Sequence, residues 1–125
     1  MKILSVDDSK MVHMVVAKTL KNFDVVHLTA MNGEEGLAKA RAEKPDLILL
    51  DITMPVMTGL EALSQLKADP ETAGIPVVML TAESATDSQT FAFEQGVEKY
   101  LTKPFGDDIL VACLTSIIPL EPKAA

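Results

Sequence analysis

Residues 45–55 read PDLILLDITMP, and this stretch decides the fold. Leu47 to Leu50 form an apolar run without polar alternation, which is typical of a strand buried on both faces of a parallel sheet. Asp51 follows the run directly, although a carboxylate is costly to bury unless its charge is compensated. The stretch therefore predicts an interior strand that places a carboxylate at the mouth of the sheet, next to a cation.

Four further apolar runs are separated by longer segments with helical patterns. The runs are Ile3–Val6, Val25–Leu28, Val77–Leu80 and Tyr100–Leu101, and helices are predicted over 9–21, 33–43, 59–68, 85–95 and 106–118. Strands that alternate with helices five times predict a parallel sheet covered on both faces. Like Leu47 to Leu50, the runs Ile3–Val6, Val25–Leu28 and Val77–Leu80 are predicted to be buried on both faces.

Two helix ends have specific signals. Ser9 is the predicted N-cap of the first helix, since serine accepts hydrogen bonds from free backbone N–H groups. Pro119 is predicted to end the last helix. The apolar side of that helix is predicted to contain Ile109, Leu110, Cys113, Leu114 and Ile117.

Composition narrows the class of protein further. At 125 residues with 48% hydrophobic content, one domain with its own core is expected. A net charge of −7 disfavours binding to nucleic acid and to an anionic membrane surface. Cys113, the only cysteine, is expected to be a buried apolar residue. No apolar run approaches the roughly 20 residues of a membrane span, and no signal peptide is evident, so a cytoplasmic location is expected.

Polar residues follow the predicted strands at their carboxyl ends, where open α/β sheets bind ligands. They are Asp7, Asp8, Asp51, Thr81 and Lys103. Three neighbouring carboxylates repel unless a cation lies among them, and oxygen ligands favour Mg²⁺. With Lys103 and Thr81, such a site fits a phosphoryl group, so in-line attack of an aspartate on phosphorus is predicted. Asp51 is the predicted nucleophile because its strand is central, and the adjacent pair is the predicted metal cradle.

Four motifs carry a resemblance to a known family. They are SVDDS (5–9), LLDITMPVMTG (49–59), VVMLTA (77–82) and KYLTKPF (99–105). Together, in this order, they resemble the receiver domain of two-component response regulators. The resemblance implies a single α/β domain, a flavodoxin-like (βα)5 doubly wound parallel sheet with strand order 2-1-3-4-5. The receiver domain would cover residues 1–118, with 119–125 as a C-terminal tail.

The resemblance also assigns the metal and phosphate roles. Asp51 resembles the phosphoacceptor. Asp8, Asp51 and the backbone carbonyl of Thr53 resemble the direct ligands of Mg²⁺, for which Mn²⁺ could substitute, and Asp7 would act mainly through water. Lys103 resembles the lysine that binds the phosphate.

Four side chains are assigned to switching and signal lifetime by the same resemblance. Thr81 resembles the switch hydroxyl and Tyr100 the switch aromatic. The side chains of Thr53 and Glu83 would flank the hydrolytic water and tune dephosphorylation.

The implied function is a stand-alone phosphoacceptor switch without enzymatic turnover of a separate substrate. A sensor histidine kinase or a phosphotransfer protein would donate the phosphoryl group. Phosphorylation would then change the affinity of an unknown output protein, as in chemotaxis regulators, through helix 85–95, strand 98–102 and helix 106–118. A monomer is expected, with dimerisation on phosphorylation as an alternative.

Several alternatives remain open at this point. The protein could be a phosphorelay intermediate, a phosphate sink or a pseudo-receiver that is never phosphorylated. A haloacid-dehalogenase-like phosphatase is disfavoured because Thr53 stands where a second aspartate is expected and there is no cap domain. A flavin carrier is disfavoured because DDSKM, after the first run, would repel phosphate without a metal.

Two minor observations concern the histidines and the first helix. His13 and His27 are expected to be structural or surface residues rather than phosphate donors. Met11, Met14, Lys18 and Lys21 form a stripe beside the predicted core face. We expect this stripe to contribute to kinase docking, since methionine suits adaptable binding surfaces.

Overall fold

The computed structural model of the protein describes residues 1–51, 59–81, 97, 99–102 and 106–121. Its elements are β1 (Lys2–Val6), α1 (Lys10–Leu20), β2 (Val26–Ala30), α2 (Gly33–Glu43), β3 (Leu47–Asp51), α3 (Gly59–Ala68), β4 (Val77–Thr81), β5 (Lys99–Thr102) and α4 (Asp107–Thr115). The strands pair in parallel in the order β2-β1-β3-β4-β5. The predicted flavodoxin-like sheet and its strand order are thus confirmed. The helix predicted over 85–95 lies outside the described residues.

Helices cover both faces of the sheet, so the protein has two apolar cores. On one face, Val16 and Leu20 of α1 and Leu110 and Leu114 of α4 pack with β-strand residues such as Leu49. On the other face, residues of α2 and α3 enclose a second set of strand residues, which includes Ile48, Leu50 and Met79. Every residue of β3 is buried, as its unbroken apolar sequence predicts. Among the described residues, no helix has the length and apolar character needed to cross a membrane.

The second apolar run was predicted to be buried on both faces, and this prediction was wrong. β2 runs from Val26 to Ala30 rather than from Val25 to Leu28, and it is an edge strand that pairs with β1. Val26 is 54% exposed. Lys39 of α2 donates a hydrogen bond to the Thr29 carbonyl and so covers part of the edge, which disfavours pairing with another chain.

The last helix is shorter and buries a narrower stripe than predicted. It ends at Thr115, before Pro119, and the hydroxyls of Thr115 and Ser116 bond to carbonyls of the preceding turn. Leu110, Cys113 and Leu114 are buried, whereas Ile109 is 56% exposed. The three buried residues share one face at helical spacing, and Ile109 lies beside it.

The residues that follow this helix contact the domain. Ile118 is buried, and Leu120 packs against the core beneath α1 and α4. The Glu121 carbonyl accepts a hydrogen bond of 2.7 Å from the Asp24 N–H. The first part of the predicted tail therefore lies against the chain just before β2.

Helix α2 approaches β1 closely at Gly36, which gives a stability prediction. A Cβ atom at Gly36 would lie 2.8 Å from both γ-carbons of Val6, a rigid β-branched side chain. Overpacking costs about 1–3 kcal/mol, more than the roughly 0.5–1 kcal/mol that alanine gains over glycine in a helix. We expect Gly36→Ala to lower the free energy of unfolding in urea by about 1–2 kcal/mol.

Gly74→Ala is the matched control for this prediction. An added Cβ at Gly74 would meet no atom within 4 Å, so this variant should be as stable as the wild type or slightly more stable. A Gly36→Ala variant that unfolds at the same urea concentration as Gly74→Ala would contradict the close packing.

Candidate functional site

Three carboxylates converge at the carboxyl edge of the sheet. Asp7 follows the last residue of β1, Asp51 ends β3, and Val6 pairs with Leu50 in the sheet. This register places Asp7 and Asp51 at the same level of neighbouring strands. Carboxylate oxygens of Asp7, Asp8 and Asp51 all lie within 4.8 Å of one another.

The burial of these carboxylates differs, and this difference bears on metal binding. Asp7 is fully buried and Asp51 is 4% exposed, whereas Asp8 is exposed. Two buried negative charges at this separation repel strongly unless a cation compensates them. Three carboxylates with one open side suit a hard divalent cation that retains some water, and this description fits Mg²⁺ better than Zn²⁺. The cluster could therefore hold a metal ion.

The chain around Asp7 is fixed by its own hydrogen bonds. The Asp7 N–H donates to the Ala30 carbonyl of β2 at 3.0 Å. Asp7 Oδ1 accepts a hydrogen bond of 2.9 Å from the Ser9 N–H. Ser9 occupies the predicted N-cap position of α1, but its side chain makes no capping hydrogen bond. Ser9 therefore orients the Asp7 carboxylate through its own backbone N–H, as in an Asx turn.

The other predicted site residues are described only in part. Thr81 ends β4 one position beyond Leu80, which pairs with Asp51, so its backbone lies at the same edge of the sheet. Tyr100 is half-buried in β5 and packs against the core under α2 and α3. Thr53, Glu83 and Lys103 lie outside the described residues. The roles assigned to all these residues stay predictions.

Behind the acidic cluster lies a buried polar network that the sequence analysis missed. Ser5 Oγ is 2.8 Å from His13 Nδ1 and 2.7 Å from His27 Nε2. His13 Nε2 is 2.8 Å from the backbone carbonyl of Asp7. The prediction that the histidines are structural or surface residues held, but Ser5 was overlooked. A serine inside an otherwise apolar strand signals that a buried polar partner is present, although it does not identify that partner.

The burial of His27 predicts that the stability of the protein depends on pH. Burial, and next the neighbouring charge of His13, lower the pKa of His27 from its ordinary value of 6.5. Between that value and the lower folded-state pKa, the unfolded chain binds more protons than the folded one. The free energy of unfolding should therefore fall as the pH decreases from 6.5 through the folded-state pKa.

The His27→Gln variant isolates this contribution. Glutamine does not titrate and can keep a side-chain N–H directed at Ser5. We expect the free energy of unfolding, measured in urea from about pH 8 to about pH 5, to depend less on pH in the variant than in the wild type. Equal slopes in the two proteins would contradict the assignment.

The comparison with known families agrees with this fold. Residues 3–115 match the response regulator receiver domain family. The chain belongs to this family, whose members are signalling domains that accept phosphoryl groups from histidine kinases or phosphotransfer proteins.

The chain spans nearly the whole length of some relatives and only part of others. The chain is 37% identical to the protein PilH of Pseudomonas aeruginosa over 117 residues, which are 94% of this chain and 97% of PilH. Its fold matches the chemotaxis response regulator CheY4 of Vibrio cholerae with a TM-score of 0.87 and 33% identity, covering 94% of this chain and 98% of CheY4. The Mn²⁺-bound form of response regulator Rcp1 matches with a TM-score of 0.81 and 30% identity, over 98% and 99% of the two chains. Other curated relatives are longer, and the chain spans 8–51% of their length.

Proposed function

We propose that the protein is a phosphoacceptor switch in which Asp51 receives a phosphoryl group in an Mg²⁺-dependent reaction. The observation that carries the proposal is the convergence of Asp7, Asp8 and Asp51 at the mouth of a parallel sheet. In a receiver domain, this is the constellation expected for a metal-assisted aspartyl phosphate. The donor is a phosphohistidine on a sensor kinase or on a phosphotransfer protein.

The roles of the three carboxylates follow from the resemblance to receiver domains. An oxygen of Asp51 attacks phosphorus while the P–N bond of the phosphohistidine breaks, and the imidazole nitrogen keeps the electron pair. Asp8, Asp51 and the Thr53 carbonyl would hold the metal directly, and Asp7 would act mainly through water. A bound Mg²⁺ would neutralise charge on the phosphoryl oxygens. Lys103 adds a second positive charge on the phosphoryl group.

Asp51 suits the role of nucleophile because its position is rigid. Helices cover both faces of the sheet, and the strand that carries Asp51 is buried along its whole length. Such a carboxylate is held in place before the donor arrives, which reduces the entropy lost on reaching the reactive geometry. Because Asp8 is exposed, the site is open to solvent on its side, and we expect the donor phosphoryl group to enter there.

The output step is a change in partner binding rather than catalysis on a separate substrate. Thr81 responds to the phosphoryl group, Tyr100 adjusts its packing, and the surface of 85–95, 98–102 and 106–118 changes its affinity for an output protein. The side chains of Thr53 and Glu83 set the lifetime of the aspartyl phosphate. A relay intermediate or a phosphate sink would use the same chemistry without this output.

The proposed regulator is a single-domain, cytoplasmic monomer, with residues 1–118 as its receiver domain. Similarity to PilH and CheY4 over nearly their whole lengths supports the single-domain type, and CheY4, a chemotaxis protein, favours a chemotaxis-like output.

Met11 and Met14 are 73% and 71% exposed and provide an apolar surface for the kinase. We expect Met11→Glu/Met14→Glu to slow phosphoryl transfer from the cognate kinase, and an unchanged rate would contradict this docking surface.

The direct test is phosphorylation by a small donor. The protein is incubated with acetyl phosphate in Mg²⁺ or in EDTA, and its intact mass is measured. A gain of one phosphoryl group only with Mg²⁺ is the expected result. A folded, metal-binding protein that gains nothing from acetyl phosphate or from a histidine kinase would instead be a pseudo-receiver.

A further inference from the structure

We propose that His13 is a positioning residue of the acidic site, held by Ser5 and His27 so that its ring fixes the backbone carbonyl of Asp7. The inference deepens the proposed function and rests on it, because the site that His13 positions is the proposed Mg²⁺ site. The network comprises Ser5 in β1, His13 in α1 and His27 in β2. It thus joins three elements to the first residue of the acidic cluster.

The hydrogen bonds of the network run in one direction when both rings are neutral. The Asp7 carbonyl can only accept, so His13 Nε2 carries a proton and donates it there. His13 Nδ1 must then accept, and the Ser5 hydroxyl donates to it. Because that hydroxyl has a single proton, Ser5 Oγ accepts from His27 Nε2. Each partner therefore fixes the tautomer of the next, and the last donor in the chain points at Asp7.

Burial makes this arrangement specific. Ser5 and Asp7 are fully buried and His13 is 8% exposed, and in the described part of the chain no buried side-chain nitrogen or oxygen lacks a partner. A buried donor without an acceptor is energetically unfavourable, so the ring is held in one orientation. Apolar residues could fill the same space without that cost. The polar network differs from such apolar residues because it donates a hydrogen bond to the Asp7 carbonyl.

Holding this carbonyl affects Asp8 as well as Asp7. The carbonyl of Asp7 and the backbone nitrogen of Asp8 belong to one planar peptide unit. The other backbone group of Asp7 is already fixed, because its N–H donates to Ala30. The bond from His13 therefore fixes the peptide plane from which the exposed Asp8 carboxylate extends toward Asp51. Without it, the turn between β1 and α1 could place Asp8 away from the metal.

The test measures Mg²⁺ affinity by titration calorimetry, which requires no phosphorylation. Loss of hydrogen-bond partners behind metal ligands weakens affinity about 10–100-fold. We expect His13→Leu to weaken Mg²⁺ binding by about 10-fold, the low end of that range, because the bond reaches the backbone rather than the carboxylate. His13→Gln, which can still donate a hydrogen bond to the Asp7 carbonyl, should stay within about 3-fold of the wild type. Ser5→Ala, which releases the His13 ring, should fall between these two variants.

Thr19→Val is the matched control. Thr19 is also a buried polar residue of α1, but its hydroxyl bonds to Val15 and to Asp107, away from Asp7. This variant should lose thermal stability and keep the Mg²⁺ affinity of the wild type.

The outcomes separate the inference from the function on which it rests. If the wild type binds Mg²⁺ and His13→Leu and Ser5→Ala bind it equally well, the network only stabilises the fold and the inference is wrong. Should His13→Leu fail to fold, unchanged affinity in Ser5→Ala alone overturns it. A folded wild type that binds no Mg²⁺ overturns the proposed metal site and the inference together.

Discussion

Replacing Asp51 with asparagine is expected to abolish the Mg²⁺-dependent phosphoryl gain from acetyl phosphate, a loss of at least about 100-fold in labelling rate. An amide oxygen is a poor nucleophile toward phosphorus, and it is also a weaker, uncharged ligand for a hard cation than a carboxylate. The measurement is the intact mass of the variant after the labelling reaction described above.

The same variant should raise the free energy of unfolding in metal-free buffer. Asp51 is buried beside two other carboxylates, so its removal relieves like-charge repulsion. Urea unfolding in EDTA measures this effect. Opposite changes in stability and labelling would show that lost phosphorylation does not result from unfolding.

Asp24→Asn is the control for both measurements. Asp24 is exposed and precedes β2, so it lies at the opposite end of the sheet from the acidic cluster. This variant should be labelled at the wild-type rate. Full labelling of Asp51→Asn would place the phosphoryl group on another residue and contradict the assignment of the nucleophile.

The second large effect concerns stability, and it tests whether β3 is covered on both faces. Leu49 packs in the core with α1 and α4, and Leu50 packs in the core with α2 and α3. Leucine-to-alanine changes in a core cost about 2–5 kcal/mol, because apolar contacts are lost and a cavity is left. We therefore expect Leu49→Ala and Leu50→Ala, measured separately in urea, each to lower the free energy of unfolding by that amount.

The matched comparison is Val26→Ala in the edge strand. Because Val26 is 54% exposed, its truncation should change the free energy of unfolding by less than about 0.5 kcal/mol. If only one of the two leucine variants were strongly destabilised, one face of β3 would be less covered than the packing indicates.

The sequence predicted those parts of the fold whose signal is local. The apolar run before Asp51 identified the interior strand, because a strand buried on both faces has no polar alternation. The acidic residues at the carboxyl ends of β1 and β3 were placed correctly because the carboxyl ends of parallel strands meet at one edge. The length of α3 was also predicted correctly, from residue 59 to residue 68.

Features that depend on the neighbours of a residue were not predictable in this way. Val26 belongs to an apolar run like the others, and only the position of β2 at the edge exposes it. Ile109 fits the apolar pattern of α4 but lies beside the buried face. The partnership of Ser5 with His13 and His27 joins three separate elements, which no spacing along the chain reveals.

The complete burial of β3 also determines how the proposed phosphorylation site responds to partial opening of the protein. Backbone amides of such a central strand exchange with solvent only when the whole domain unfolds, whereas edge strands and helix ends open in local fluctuations. Asp51 is the last residue of that strand. Fluctuations that loosen β2 or the end of α4 would therefore leave the nucleophile in place, and the capacity to be phosphorylated would persist until the domain unfolds as a whole.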